Sequence, residues 1–175
     1  MSDTATEIQL QRGMLQETMT FMGALAYGLE QVVGRGSNSV GFLAGKKLGR
    51  QFTADAPQQT DVNAALEEVN RILKANGCLW EFGPFAPQGD EAKKLASKDG
   101  VSDDTLIVFK ECMIRQSLFR FGHVQKGALC SITHGFISGA IEGVMGKPSE
   151  LEILHAGENA CLKRLHVKEA KEAEA

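Results

Sequence analysis

Two segments of this chain carry glycine at every fourth position: Gly41, Gly45 and Gly49 in one, Gly135, Gly139 and Gly143 in the other. Their neighbours echo as well, Gly41-Phe42-Leu43-Ala44-Gly45 being answered by Gly135-Phe136-Ile137-Ser138-Gly139. Both segments have the apolar pattern of helices, and each interior glycine weakens a helix by about 1 kcal/mol relative to alanine. Helix propensity alone does not place six of them on two ridges. Something must approach both backbones too closely for a β-carbon to fit. Two occupants meet that requirement: another helix, within the fold or across a dimer, or a bound ligand.

The remaining elements are arranged before, between and after those two helices. Apolar residues recur at helical spacing over residues 9–33, with Met14, Phe21, Leu25 and Leu29 near one stripe, until Gly34 and Gly36 stop the run. Ser37 or Ser39 can cap the first glycine helix, which reaches about Phe52. Asp61 can cap a third helix whose Leu66, Val69 and Leu73 keep the period until Asn76 and Gly77. Cys78-Leu79-Trp80-Glu81-Phe82 then reads as a short strand broken by Gly83 and Pro84, residues 87–103 as a polar insert, and residues 105–109 (TLIVF) as a buried strand. The second glycine helix covers 127–145 and ends at Gly146-Lys147-Pro148. Residues 150–156 and 160–167 form a closing hairpin. Its three-residue Gly157-Glu158-Asn159 loop sets His155 directly opposite Cys161. Helices first, then an antiparallel sheet interleaved with one helix, make the fold class α+β. One domain over residues 1–168, helical through residue 60, accommodates the length of 175, with a charged tail, 169–175, expected to fray.

Charge and patterning narrow the partners. A net charge of −3 and a pI near 5.8 lack the basic footprint of a nucleic-acid binder. The longest apolar run falls short of the roughly 20 residues of a membrane helix, and the first ten residues lack the basic start and apolar core of an export signal. The expectation is a cytoplasmic protein with neither nucleic acid nor membrane as its partner. In a reducing compartment its four cysteines are core residues, metal ligands or redox thiols rather than disulfides.

Their positions make one constellation: Cys112, Cys130, His134, His155 and Cys161. Cys112 follows the TLIVFKE strand, Cys130 and His134 lie one turn apart on a helix, and His155 and Cys161 oppose each other across the hairpin. Thiolates with an imidazole suit a closed zinc site, and three or four thiolates suit an iron–sulfur cluster. No C-x-x-C pair is present and the spacings match no compact zinc finger, so three apolar thiols in a core satisfy the same pattern. Trp80, Phe82 and Phe85 cluster, as do Phe119 and Phe121; such groups complete a core or wall a pocket for a planar ligand. Arg115 and Arg120 flank an otherwise apolar MIRQSLFRF, where a buried arginine can hold a carboxylate. Ser117, Ser131 and Ser138 have no identifiable His–Asp partners, and no phosphate loop, dinucleotide fingerprint, H-E-x-x-H or acid/base pair is identifiable.

From residue 105 to 167 the order of a strand, Cys112, a helix carrying Leu129-Cys130 with Gly135 and Gly139, then Gly157 and Cys161, resembles the 4-vinyl-reductase domain. That family includes archaeal hydrocarbon-binding proteins, the sensing domains of phenol-responsive transcriptional activators, and relatives of the vesicle-tethering TRAPP subunits. The resemblance implies helices packed on an antiparallel sheet, an apolar small-molecule cavity and frequent dimers. In the phenol-sensing members a structural zinc is held by the helix Cys, a Glu-x-x-Cys segment and a final Cys, which fall here on Cys130, Glu152-Ile153-Leu154-His155 and Cys161. His155 stands where the family has Cys, and the connection to Cys161 is two residues shorter. Glu152 has the opposite strand parity to His155, which sets it apart from a shared ion; Cys112 offers a substitute. The trio Cys112, Cys130 and Cys161 also resembles regulators that hold an iron–sulfur cluster on three cysteines and carry a helix-turn-helix not found here.

The expectation is therefore a homodimeric protein that binds or senses a small hydrophobic or planar molecule. Zinc sits on Cys112, Cys130, His155 and Cys161, and Trp80, Phe82, Arg115, Phe119 and His134 meet the ligand. The alternatives are an iron–sulfur redox or gas sensor, an accessory or reductase-like protein acting on a tetrapyrrole or lipid, and a scaffold that assembles with other chains.

Overall fold

The two glycine ladders meet each other. A computed structural model describes residues 2–78, 80–86, 104–112, 114–115 and 125–168, with backbone alone at 2–5, 15 and 111. In it, helix α2 (Ser37–Phe52) crosses helix α4 (Ala128–Met145) along their glycine faces. A β-carbon added to Gly45 would stand 2.9 Å from the Phe136 amide nitrogen and closer still to the Ile132 carbonyl oxygen; one on Gly49 would stand 2.7 Å from the Ala140 nitrogen. From the other side, β-carbons on Gly135 and Gly139 would come within 2.9 Å of Lys46 backbone atoms. Gly143 is pressed against the Thr53 hydroxyl, and Gly41, with 3.1 Å to the Ala128 oxygen, is the loosest. The occupant the ladders demanded is thus a helix of the same chain. Glu142 clamps the crossing through Lys46 Nζ at 2.8 Å and Arg50 Nη2 at 2.9 Å. At the far end the Thr53 hydroxyl donates to one of the Gly49 and Ala140 carbonyls, each 3.2 Å away.

Helix α1 (Ser2–Val33) starts earlier than the 9–33 periodicity predicts and is about 48 Å long at 1.5 Å per residue. A single 3-10 turn, Gly34–Gly36, joins it to α2, with Gly34 at φ 63°. Among the described residues, α1 meets the domain from about Met19 onward. Ala26 packs with Leu129 and Ile114, and Glu30 Oε1 accepts the Ala128 amide at 2.7 Å. That bond caps α4, whose own N-cap, Gly127, has no side chain to do so. The expected apolar stripe does not enter the core of the monomer: Met14, Phe21 and Leu25 stay 52–62% exposed. Helix α3 (Val62–Ala75) follows its pattern, with Asp61 Oδ1 accepting the Ala64 amide at 2.9 Å and Leu66, Val69 and Leu73 buried.

The fold is α+β. Four antiparallel strands, β1 (Glu81–Pro84), β2 (Thr105–Glu111), β3 (Ser149–Ala156) and β4 (Cys161–Val167), are ordered β1-β2-β4-β3. The first strand begins three residues later than the sequence predicts, at Glu81 rather than Cys78. Ile107, Phe109 and Leu165 of the sheet pack with Leu66 and Leu73 of α3 and with Ile137 and Ile141 of α4. By length and composition α4 would suit a membrane span, but 67% of it is buried inside the domain, as befits its core helix. It ends at Gly146 in the left-handed conformation, φ 65°. Ser138 and Ser149 tie it to β3, each hydroxyl donating to the other's carbonyl at 2.7 Å.

The hairpin register corrects the sequence-based expectation. Cys161 pairs with Ala156 and His155 pairs with Leu162, after a bulge between Ile153 and His155. The turn holds four residues, not three, because the Gly157 amide donates to the Ala160 carbonyl at 2.9 Å and draws Ala160 into the loop. A one-residue slip carries a side chain to the other face of a sheet, and His155 is accordingly exposed.

Candidate functional site

Strand alternation aims Cys161, Lys163 and Leu165 of β4 to one side of the sheet. Leu165 is in the core; Lys163, with only 4% of its surface exposed, faces a cavity at the core's edge. Cys161 stands beside it, paired in the ladder with Phe109 of β2. Where β2 ends, Cys112, Ile114 and Arg115 close one wall. The first turns of α4 bring Cys130, Thr133 and His134, at helical spacings of three and four, to another. Among the described residues Gln125, Lys126, Ile153 and Ala156 also line this cavity of about 30 Å³, room for roughly two water molecules.

Its electrostatics are unusual. Lys163 Nζ lies 3.7 Å from the centre of the Phe109 ring, a cation–π contact. Burial lowers the Lys163 pKa to about 8; the thiols of Cys112, Cys161 and Cys130 oppose that shift, and the charge of Arg115 adds to it. Arg115, 5% exposed, is anchored by the Phe109 carbonyl at 3.1 Å and by the Lys110 carbonyl, with Nη1 3.9 Å from the Cys161 sulfur. Burial, and secondarily the charge of Lys163, pushes His134 down to about 3, so its imidazole is neutral at physiological pH. Burial pushes the Cys130 thiol up, which favours its protonated form. Among the described residues no carboxylate pairs with Lys163 or Arg115.

Of the expected zinc ligands, Cys112, Cys130 and Cys161 share this cavity and His155 does not. The imidazole lies over the turn instead, its Nε2 3.0 Å from where a Gly157 β-carbon would be. Glu152 is turned outward, 63% exposed, and pairs with Arg164 at 3.2 Å. Among the described residues no three His, Cys, Asp or Glu side chains are grouped to hold one ion, so the expected four-ligand zinc set does not fit this arrangement. All four cysteines are free.

The expected ligand contacts divide. Arg115 and His134 line the cavity. Trp80 and Phe82 belong to the core, Trp80 edge-on to Phe136 at 5.6 Å and Phe82 stacked on Phe109 at 4.7 Å. The buried indole Nε1 of Trp80 has no hydrogen-bond partner among the described residues. Phe119 lies outside the described residues. Lys163 is the residue that sequence reasoning missed. Its signal was parity: it falls two residues from Cys161 and two from Leu165, on the inward face of an alternating strand.

No family model matches the chain, and no curated protein matches it. Among solved structures it is similar to the crystal structure of the phenol-responsive sensory domain of the transcription activator PoxR with phenol. The TM-score is 0.52 and the identity 15%, over 84% of this chain and 73% of that one. At that identity the likeness is one of fold alone, an α+β architecture.

Proposed function

We propose that this chain is a small-molecule-binding sensory domain of the 4-vinyl-reductase type, and that its ligand enters the cavity between β4, the end of β2 and the start of α4. One observation carries this reading: a buried lysine, arginine and histidine converge with three thiols on a single cavity whose walls also include the apolar side chains of Ile114, Ile153 and Ala156. Apolar walls with a few convergent polar groups are the pattern of ligand sites. The fold is shared with a domain solved with phenol bound. A cavity of about 30 Å³ is smaller than any aromatic ligand requires, so binding selects a more open state. That coupling of occupancy to shape is what a sensor uses. Differential scanning fluorimetry against phenols, small acids and their amides tests it. A ligand that raises the melting temperature of the wild type but not of an Ile153→Trp variant, in which the cavity is filled, supports the reading; no response to any of them counts against it.

The same reading includes a homodimer. Phe21, Leu25, Val32, Leu43 and Leu48 of α1 and α2 are 52–87% exposed, more apolar surface than isolated exposed residues explain. Native mass spectrometry reads the subunit count directly.

A second reading keeps the metal on thiols alone. Cys112, Cys130 and Cys161 lining one cavity is the observation in its favour; they are not grouped around one point as they stand, so a metal would have to draw them together, but three thiolates suit an iron–sulfur cluster or a zinc ion with an open position. Metal analysis and the visible spectrum of anaerobically purified protein test it. Colourless protein with three titratable cavity thiols and no zinc rejects it.

A further inference from the structure

We propose that the cavity takes its ligand as an anion: a small organic acid whose carboxylate meets Lys163 and the anchored guanidinium of Arg115, with its apolar part against Ile114 and Ile153. This inference rests on the cavity being the ligand site, as proposed above, and names the class of ligand.

The reasoning begins from charge balance. A buried cation is tolerated when a counter-charge or a full set of hydrogen bonds replaces its lost water. Arg115 has two backbone carbonyls. Lys163 has the face of Phe109 and three sulfurs, and a thiol is a weak acceptor. No carboxylate among the described residues pairs with either side chain, and the imidazole of His134 is held neutral. Among the described residues the cavity therefore gathers the ammonium of Lys163 and the guanidinium of Arg115 with no carboxylate paired to either. A methionine in place of Lys163 would suit the apolar surroundings better, so the ammonium is a feature that stability does not explain. Such a mismatch between a residue and its surroundings marks functional sites. A carboxylate supplies both the missing charge and the missing acceptors, whereas a neutral phenol or amide supplies only acceptors. The anchored Arg115 cannot swing away to solvent without breaking its carbonyl bonds, so its field is fixed on the same spot.

Two isosteric pairs test this on the full chain: acetate against acetamide, and benzoate against benzamide. The expected result is that at least one acid binds about tenfold or more tightly than its amide. Lys163→Met should abolish that preference while melting at or above the temperature of the ligand-free wild type. Should Lys163→Met fail to fold, Lys163→Gln serves as the neutral variant, and Lys163→Arg is expected to restore the preference. Amides binding as well as acids in both pairs would overturn the anion proposal and leave the ligand site standing. No binding by either member of either pair would overturn both. Stoichiometric zinc or iron in the purified protein would also overturn the proposal, because metal-bound thiolates would then supply the negative charge.

Discussion

Replacing Gly45 with alanine inserts one methyl group where two helix backbones touch. On an open helix surface the change would be favourable by about 1 kcal/mol, because alanine restricts the unfolded chain and favours the helix. Here the new β-carbon would meet the Phe136 nitrogen at 2.9 Å and the Ile132 carbonyl carbon at 2.9 Å, with the Ile132 oxygen nearer still. Ordinary contact begins near 3.4 Å, and the Ile132 oxygen lies so far inside that limit that the helices must part by more than about an ångström. The obstacles are main-chain atoms, and no rotamer change relieves them. Overpacking of this kind costs up to about 3 kcal/mol, which outweighs the helix gain and leaves a net loss of about 2 kcal/mol. For a domain of this size that is a melting temperature about 4–8 °C lower. Gly28→Ala on α1 is the internal control, since its β-carbon meets nothing within 4 Å; it should raise the melting temperature by about 2–4 °C. Circular dichroism melts of the two variants are sufficient. If Gly45→Ala proves as stable as the wild type, close backbone packing is not why the ladders exist.

Three further outcomes follow from single groups. His134 is neutral in the folded state, with its pKa lowered to about 3, whereas the unfolded chain titrates near 6.5. Between those values the unfolded state binds the extra proton, so this residue makes stability fall with falling pH, by about 2 kcal/mol between pH 6.5 and 5. His134→Gln should remove that part of the slope in urea midpoints measured from pH 7 to 5. Ser138→Ala removes the 2.7 Å bond to the buried Ser149 carbonyl, which keeps Lys46 Nζ at 3.0 Å, and should cost about 1 kcal/mol, seen as a lower urea midpoint. Glu30→Ala uncaps α4 at Ala128; it should cost about 1 kcal/mol and speed amide exchange in the first turn of that helix.

What could be read from the chain beforehand was local. The glycine ladders, the Asp61 cap, the Gly146 terminus and the alternation of β2 are written in spacings of two, three and four residues. They led to an α+β arrangement before any coordinates. Register was not legible. Whether Ala160 belongs to the turn is marked by one hydrogen bond from Gly157, and the bulge between Ile153 and His155 goes with it, so that His155 pairs with Leu162 and leaves the site. The α1 periodicity marks a helix and an apolar face but not what covers that face, and Met14, Phe21 and Leu25 stay exposed. The convergence of Cys112, Cys130 and Cys161 on one cavity came from ordering motifs along the chain. Lys163 was overlooked because a lysine reads as solvent-facing, although its parity with Leu165 placed it inward.

The most direct measurement is a titration of isotopically labelled protein with benzoate and phenol, followed in amide nitrogen–proton spectra. Binding at the proposed site predicts saturable shifts concentrated at Ile114, Cys130, Thr133, Ile153, Ala156 and Lys163, larger for the acid than for phenol. Shifts confined to α1, or none at saturating ligand, would contradict it.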